Sequence, residues 1–297
     1  MIDIKLMRRK NNIFGWLLAI PSLISIGVFI IYPFVFSFIL SFTNWRFLPV
    51  NINFVGGENY KWLFSSAGYE FWNGLWTSLR FTVISTLLQT VLGFILAYVL
   101  YNMSKRVQGI YKVLLYLPVI LPSAVVSVMW VFIYKNDGLL NILLGFFGIE
   151  NPPVWLADSR YAMGAVIIAN TWRFVGLTII IYFVSMNALS KEIIESATID
   201  GAGKVRILWS IILPLTWYST KVNLLLSMIG GMKSFDLFYL LTNGGADTQV
   251  VGLFIFRTAF EYRVLSRAVT MSVVLTIFIG GLTFVVNFLS SRKKEDY

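Results

Sequence analysis

Six runs of predominantly apolar residues dominate this chain, at 13–40, 75–101, 113–134, 162–189, 216–241 and 268–290. Each is near or above the roughly 20 residues a helix needs to cross the hydrocarbon of a bilayer. No water reaches that layer, so every backbone amide in such a run must be bonded within the segment, and a helix does this for one continuous stretch. The expected fold is an all-α polytopic membrane protein of six transmembrane helices. Composition agrees: 58% of residues are hydrophobic and 13% charged, against about 45–50% and 25% in soluble domains.

Orientation follows from the basic residues. Lys5, Arg8, Arg9 and Lys10 precede the first run, as in a signal peptide, but a signal's apolar core is only about 7–15 residues. The run at 13–40 is longer and ends without an Ala-x-Ala site, so it reads as a retained span. Lys105, Arg106 and Lys112, then Lys191, Lys204 and Arg206, then Arg292, Lys293 and Lys294 mark alternate loops and the C-terminal tail. The intervening loops are longer and carry fewer such residues: Arg46, Lys61, Lys135, Arg160, Arg257, Arg263 and Arg267. The bias puts both termini in the cytoplasm, with tails at 1–12 and 291–297 around a membrane domain at 13–290. It also accounts for the net charge of +10 without nucleic acid as a partner.

The chain has neither Cys nor His. Disulfides and thiolate chemistry are excluded, and the commonest general base and metal ligand is missing. No catalytic residue and no metal site are expected, and an intramembrane enzyme is disfavoured. The long outer loops at 44–74, 135–161 and 242–267 are rich in aromatic residues and Gly. Such residues either lie at the headgroup level or form a contact surface for an extracytoplasmic partner. Pro21 and Pro33 in the first span, with Pro118 and Pro122 in the third, predict kinks and place both spans inside a bundle.

The loop at 190–214 is polar yet strongly patterned. Ser190 can cap a helix and Glu192 suits its first turn. Asp200-Gly201 supplies a left-handed stop. Lys204 to Ile212 predicts a second short helix, ended before Pro214. Ile193, Ile194, Ala197 and Ile199 give the first helix an apolar side, which suits either lipid headgroups or another protein.

Glu195-Ser196-Ala197-x-x-x-Gly201, followed by nine residues and Ile211-x-Leu213-Pro214, resembles the EAA loop of binding-protein-dependent ABC importer permeases. Ile199-Asp200-Gly201-Ala202 resembles the form found in the carbohydrate (maltose and glycerol-3-phosphate type) branch. Asp137-Gly138-Leu139-Leu140-Asn141, Ser234-Phe235-Asp236 and Leu241-Thr242-Asn243-Gly244-Gly245 are also similar to segments of that family. The chain departs from the family at Ser196, where Ala is usual, and at Ala246, where Pro often follows the Gly pair. A common Pro a few residues after Leu215 is also missing.

The resemblance implies a six-helix type I ABC importer permease in a bacterial plasma or inner membrane. It implies a second homologous permease subunit, two copies of a cytoplasmic ATP-binding subunit and an extracytoplasmic solute-binding protein as partners. Glu195, Ser196, Ala197, Asp200, Gly201, Ile211, Leu213 and Pro214 would form the coupling segment that seats in the ATP-binding subunit. No Gly-rich phosphate loop of the G-x-x-x-x-G-K-[ST] kind is present. The chain itself is therefore expected to bind no cofactor, with ATP used by the partner.

Charges inside spans are costly and usually face a bundle interior or a cavity. Lys233 and Asp236 are three apart on the fifth span and are expected to neutralise each other on one helix face. Arg173 has no partner on its own span and is expected to meet another helix or the pathway. Ser227, Gly230, Gly231 and Ser234 read first as close helix packing. Similarity to maltose-type permeases implies a sugar pathway lined by Trp172, Arg173, Phe174, Ser227, Gly231 and Ser234. The alternatives are a permease for another solute, such as a glycerol phosphate or a polyamine, and an ATP-independent secondary carrier.

Overall fold

The computed structural model describes residues 16–47 and 52–291. The first residues of the expected first span, the tail at 1–12, and the basic groups Lys5, Arg8, Arg9, Lys10, Arg292, Lys293 and Lys294 lie outside the described residues. In chain order the helices are α1 (Trp16–Leu40), α2 (Glu58–Leu63), α3 (Tyr69–Tyr101), α4 (Lys105–Ile120) and α5 (Ser123–Tyr134). Next come α6 (Leu139–Phe146), α7 (Ala162–Asn187), α8 (Lys191–Ile199) and a composite α9 made of Lys204–Ile207, Leu208–Ile212 and Leu213–Leu215. The last are α10 (Trp217–Lys233), α11 (Asp236–Leu241), α12 (Val251–Phe260) and α13 (Leu265–Ser291). The described residues form no β-strand beyond an isolated bridge between Thr43 and Phe54.

Among the described residues four helices are long and apolar enough to cross a membrane, or five if α4 and the bent stretch after it count as one. The third expected span, 113–134, is not one helix. Leu121 (ψ 136°) and Pro122 (ψ 143°) are extended, and the chain turns by 99° between Lys105–Ile120 and Ser123–Phe146. The ring of a proline pushes the residue before it out of the helical region. The fifth expected span, 216–241, is also interrupted: α10 ends at Lys233, Ser234 is extended, and α11 starts at Asp236.

Prolines bend the helices in a second way. A proline donates no hydrogen bond, and its ring collides with the carbonyl four residues back. Gly27–Ile31 and Leu208–Ile212 are π-helical turns, and Pro33 and Pro214 each follow after one intervening residue. The wider turn moves the obstructed carbonyl aside and lets the helix continue. The expected stop before Pro214 therefore does not occur. The chain stays helical through it and breaks at Thr216 (φ −96°, ψ 14°).

The described residues divide into two compact units. One holds the residues up to Gly68 together with 255–276. Its centre is polar: Asn59 donates to the carbonyls of Ser41 (2.9 Å) and Thr43 (2.7 Å), and Thr270 also donates to Ser41 (3.2 Å). The Arg267 guanidinium lies 4.4 Å from the centre of the Trp62 ring. In contrast, α1 is exposed almost throughout and Leu40 is its first buried residue. An apolar helix without a polar side belongs in lipid or against another chain.

The other unit holds 69–254 and the residues from Ile277 onward. Its axis is α3 packed along α7. The buried stripe of α3 is small and polar: Ser78, Thr82, Ser85, Gln89 and Gly93 recur at three or four residues. A Cβ on Gly93 would collide with Thr178 of α7, and one on Gly176 of α7 with the backbone carbonyl of Leu115 in α4. Small residues thus bring these backbones into direct contact, as dispersion-driven packing in lipid requires. At one end Phe94, Ala97 and Leu100 meet Ile179, Tyr182, Phe183 and Met186, and α9 adds Ile207, Leu208 and Ile212.

Candidate functional site

Two features bring the predicted site residues together. The first is the loop at 190–214. The Ser190 hydroxyl accepts from the Glu192 amide (3.3 Å) and opens α8 as the sequence indicates. At the other end the Ala202 amide donates to the Ala197 carbonyl (2.9 Å) and the Gly201 amide to the Thr198 carbonyl (3.1 Å). Gly201 sits at φ +82°. This pair of bonds is a complete Schellman stop, which uses carbonyls that would otherwise be orphaned and needs a residue free to adopt a left-handed φ.

The apolar side of α8 divides in two. Ile194 and Ala197 pack, with Ala202, Ile211 and Leu213, against the core cluster of α3, α7 and α9. Ile193 and Ile199 point away, and Ile199 is 85% exposed. Glu195, Ser196, Asp200, Gly201 and Pro214 are exposed as well. The helix is therefore seated from below by its alanine and isoleucine, while acidic and apolar groups are presented outward.

The second feature is a cavity of about 370 Å³ enclosed by α3, α7, α10 and the start of α11. Arg173, Phe174, Ser227, Gly231 and Ser234 line it; Trp172 does not. Trp172 instead packs edge-on to Trp130, with ring centres 5.9 Å apart. The lining positions of α7, Asn170, Arg173, Phe174, Leu177 and Thr178, recur at three and four residues as one helix face does, and Trp172 lies off that face. The small residues of α10 also divide: a Cβ on Gly231 would come within 2.8 Å of Thr82 Oγ1, whereas Gly230 has open space beside it.

Gln89, Asn170, Thr178 and Asn223 also line this cavity and were not on the predicted list. Gln89 and Asn223 are 4% and 2% exposed. The Ser227 hydroxyl donates to Gln89 Oε1 (3.0 Å), and the Asn223 amide is buried in the same wall. The available signal was an amide side chain within an apolar helix, which is seldom placed there idly. The wall thus combines amides, hydroxyls and an aromatic face, donors and acceptors able to bind a polyhydroxylated solute.

The charges pair differently from the sequence expectation. Among the described residues no Lys233–Asp236 ion pair forms, because the break at Ser234 removes the helical spacing that would align them. Asp236 Oδ2 instead lies 3.5 Å from Arg173 Nη1, and Arg173 Nη2 donates to the Leu121 carbonyl (3.3 Å). The Arg173 guanidinium also sits 4.8 Å from the centre of the Phe174 ring. Another, more polar cavity of about 600 Å³ lies between the start of α3 and the turn before α12, with Glu70, Arg80, Asp247 and Gln249 in its wall. Among the described residues no cluster of acidic side chains could hold a metal ion.

A family model described as binding-protein-dependent transport system inner membrane component matches residues 89–292. The probable ABC transporter permease protein YesP of Bacillus subtilis (strain 168) is 28% identical over 288 residues, covering 95% of this chain and 92% of that protein. The lactose transport system permease protein LacF of Rhizobium radiobacter is 28% identical over 295 residues, covering 97% of each. A chain of a bacterial ABC transporter involved in import of the acidic polysaccharide alginate superposes with a TM-score of 0.84 at 19% identity. That superposition covers 99% of this chain and 100% of the other, and is a likeness of fold.

Proposed function

The chain belongs to the family of binding-protein-dependent transport system inner membrane components, and we propose that it is the membrane permease of an ATP-driven importer for a sugar or oligosaccharide. The observation that carries this reading is α8, held on the core by Ile194 and Ala197 while Glu195, Ser196 and Ile199 face outward. A loop that needed only to connect two helices would not expose Ile199 beside two acidic residues. In this reading α8 is the coupling helix that seats in a cleft of an ATP-binding subunit, which supplies the hydrolysis. Glu195 meets basic groups there, and closure of two such subunits drives the bundle between inward- and outward-open states as a rigid-body switch.

Six crossings with both termini in the cytoplasm of a bacterial cell belong to the same proposal. The interrupted stretches at 113–134 and 216–241 then count as broken spans, tolerated where irregular backbone lines a cavity rather than lipid. The partners are a second homologous permease, two ATP-binding subunits and an extracytoplasmic solute-binding protein. Sugar as the solute is supported by the amide and hydroxyl wall of the cavity and by the name of the lactose permease relative. A phosphorylated solute is the second reading, since Lys233 also lines the cavity and makes no ion pair with Asp236.

Purification of the tagged chain from its native membranes with its associated subunits, followed by reconstitution in vesicles, tests the proposal. The expected result is uptake of a labelled sugar that requires internal ATP and the binding protein. Uptake that persists without ATP or an ATP-binding subunit would identify a secondary carrier and overturn it.

A further inference from the structure

The two helix breaks are one feature. The Leu121–Pro122 break leaves the Leu121 carbonyl without a continuing helix, and the Ser234–Phe235 break leaves Asp236 as the first residue of α11. A single side chain reaches both. Arg173 Nη2 donates to the Leu121 carbonyl at 3.3 Å, and Nη1 faces Asp236 Oδ2 at 3.5 Å. The planar guanidinium suits such a double engagement, since its donors leave in fixed diverging directions.

The parts on either side of the breaks are held differently. Before the breaks, α4 and α10 lie close against their neighbours, with Gly176 against the Leu115 carbonyl and Gly231 against the Thr82 side chain. Beyond the breaks, α5 and α11 pack on each other. They rest on α7 and α3 as well, through Trp130 on Trp172, the Tyr134 hydroxyl donating to the Ala165 carbonyl and Phe238 on Phe81, and each begins where the backbone has already left the helix. Arg173, on α7, which runs unbroken past both, spans those two points, and its side chain is only 13% exposed.

We propose that Arg173 is a latch that holds the paired helices α5 and α11 to α7, coupling occupation of the cavity to movement at both breaks. Arg173 and Asp236 both line the cavity, and Arg173 Nε is buried without a hydrogen-bond partner. A solute hydroxyl that competes for the Asp236 carboxylate removes one of the two anchors and frees Arg173 to leave its place between the breaks. Arg173 is a positioning residue in this scheme. The use of the latch in transport rests on the permease reading; the geometry does not.

The chain contains no cysteine, so introduced cysteines report alone once any in the partner subunits are replaced. Spin labels at Val128→Cys with Val184→Cys follow α5 against α7, and Leu240→Cys with Val184→Cys follow α11 against α7; all three positions are exposed. In the intact reconstituted transporter, Arg173→Met, which keeps much of the side-chain bulk, is expected to at least double the width of both distance distributions. Asp236→Asn is expected to widen both by less, because the bond to Leu121 remains. Unchanged widths in a monodisperse Arg173→Met complex would overturn the latch. So would widened distributions with uptake and its dependence on the binding protein fully retained. Widened distributions in a complex whose unsubstituted form imports no sugar would leave the latch standing and remove the permease reading instead.

Discussion

The capped loop at 190–214 and the cavity between α3, α7 and α10 draw on different information. Everything that shapes α8 lies within about a dozen residues: Ser190 at one end, Asp200-Gly201 at the other, and amides bonding to carbonyls three to five residues away. The cavity wall joins Gln89 to Ser227 across 138 positions and Arg173 to Asp236 and Leu121 on other helices. The loop is a local rule carried out. The cavity exists only once separate helices are packed, so a substitution in its wall acts on several elements together.

If the loop couples and the cavity selects, variants should divide along the same line. The largest effect is expected for Glu195→Lys and Gly201→Asp, which should lower uptake at least tenfold while the chain still inserts. Gly201→Asp adds left-handed strain of about 1–2 kcal/mol, and Glu195→Lys reverses the charge offered to the partner. The check is uptake beside membrane level and subunit assembly; full uptake with normal assembly in both variants would break the comparison.

A severalfold loss is expected for Ser227→Ala, with altered preference among sugars and ATP hydrolysis still stimulated by the binding protein. Removing that hydroxyl leaves Gln89 Oε1 without its donor, at about 1–3 kcal/mol for a buried group. Unchanged uptake and substrate preference would take Ser227 off the pathway. A smaller effect belongs to Ser190→Ala. Loss of the cap costs about 1 kcal/mol, seen as faster amide exchange in the first turn of α8 and about twofold weaker coupling. The smallest is Ser196→Ala, which restores the residue usual in the family. Its side chain is exposed and small for small, so uptake within experimental error of the parent is expected.

How far each region could be read in advance follows from the same division. The cap, the stop and the outward position of Glu195 were legible, since each depends on its neighbours in the chain. The break at Leu121–Pro122 was announced by proline, although as a kink and not as a turn of 99°. The break at Ser234–Phe235 carries no proline, and the three-residue spacing of Lys233 and Asp236 argued for an uninterrupted helix. The expected pair is split by that break, and Arg173, supplied by α7, reaches Asp236 instead. Trp172 was placed in the pathway by similarity to maltose-type permeases, yet its position on α7 turns it toward Trp130.

The sequence by itself determined the apolar spans, the helical class and the capped loop. Apolar length, charge bias and capping residues act over a few turns at most, where spacing alone carries the physics. The packed structure decided which small residues bring backbones together, which amides face the cavity and which acid Arg173 meets. Those outcomes depend on the rotation of each helix about its own axis, and that rotation is set by close contact with neighbours such as Thr178 against Gly93.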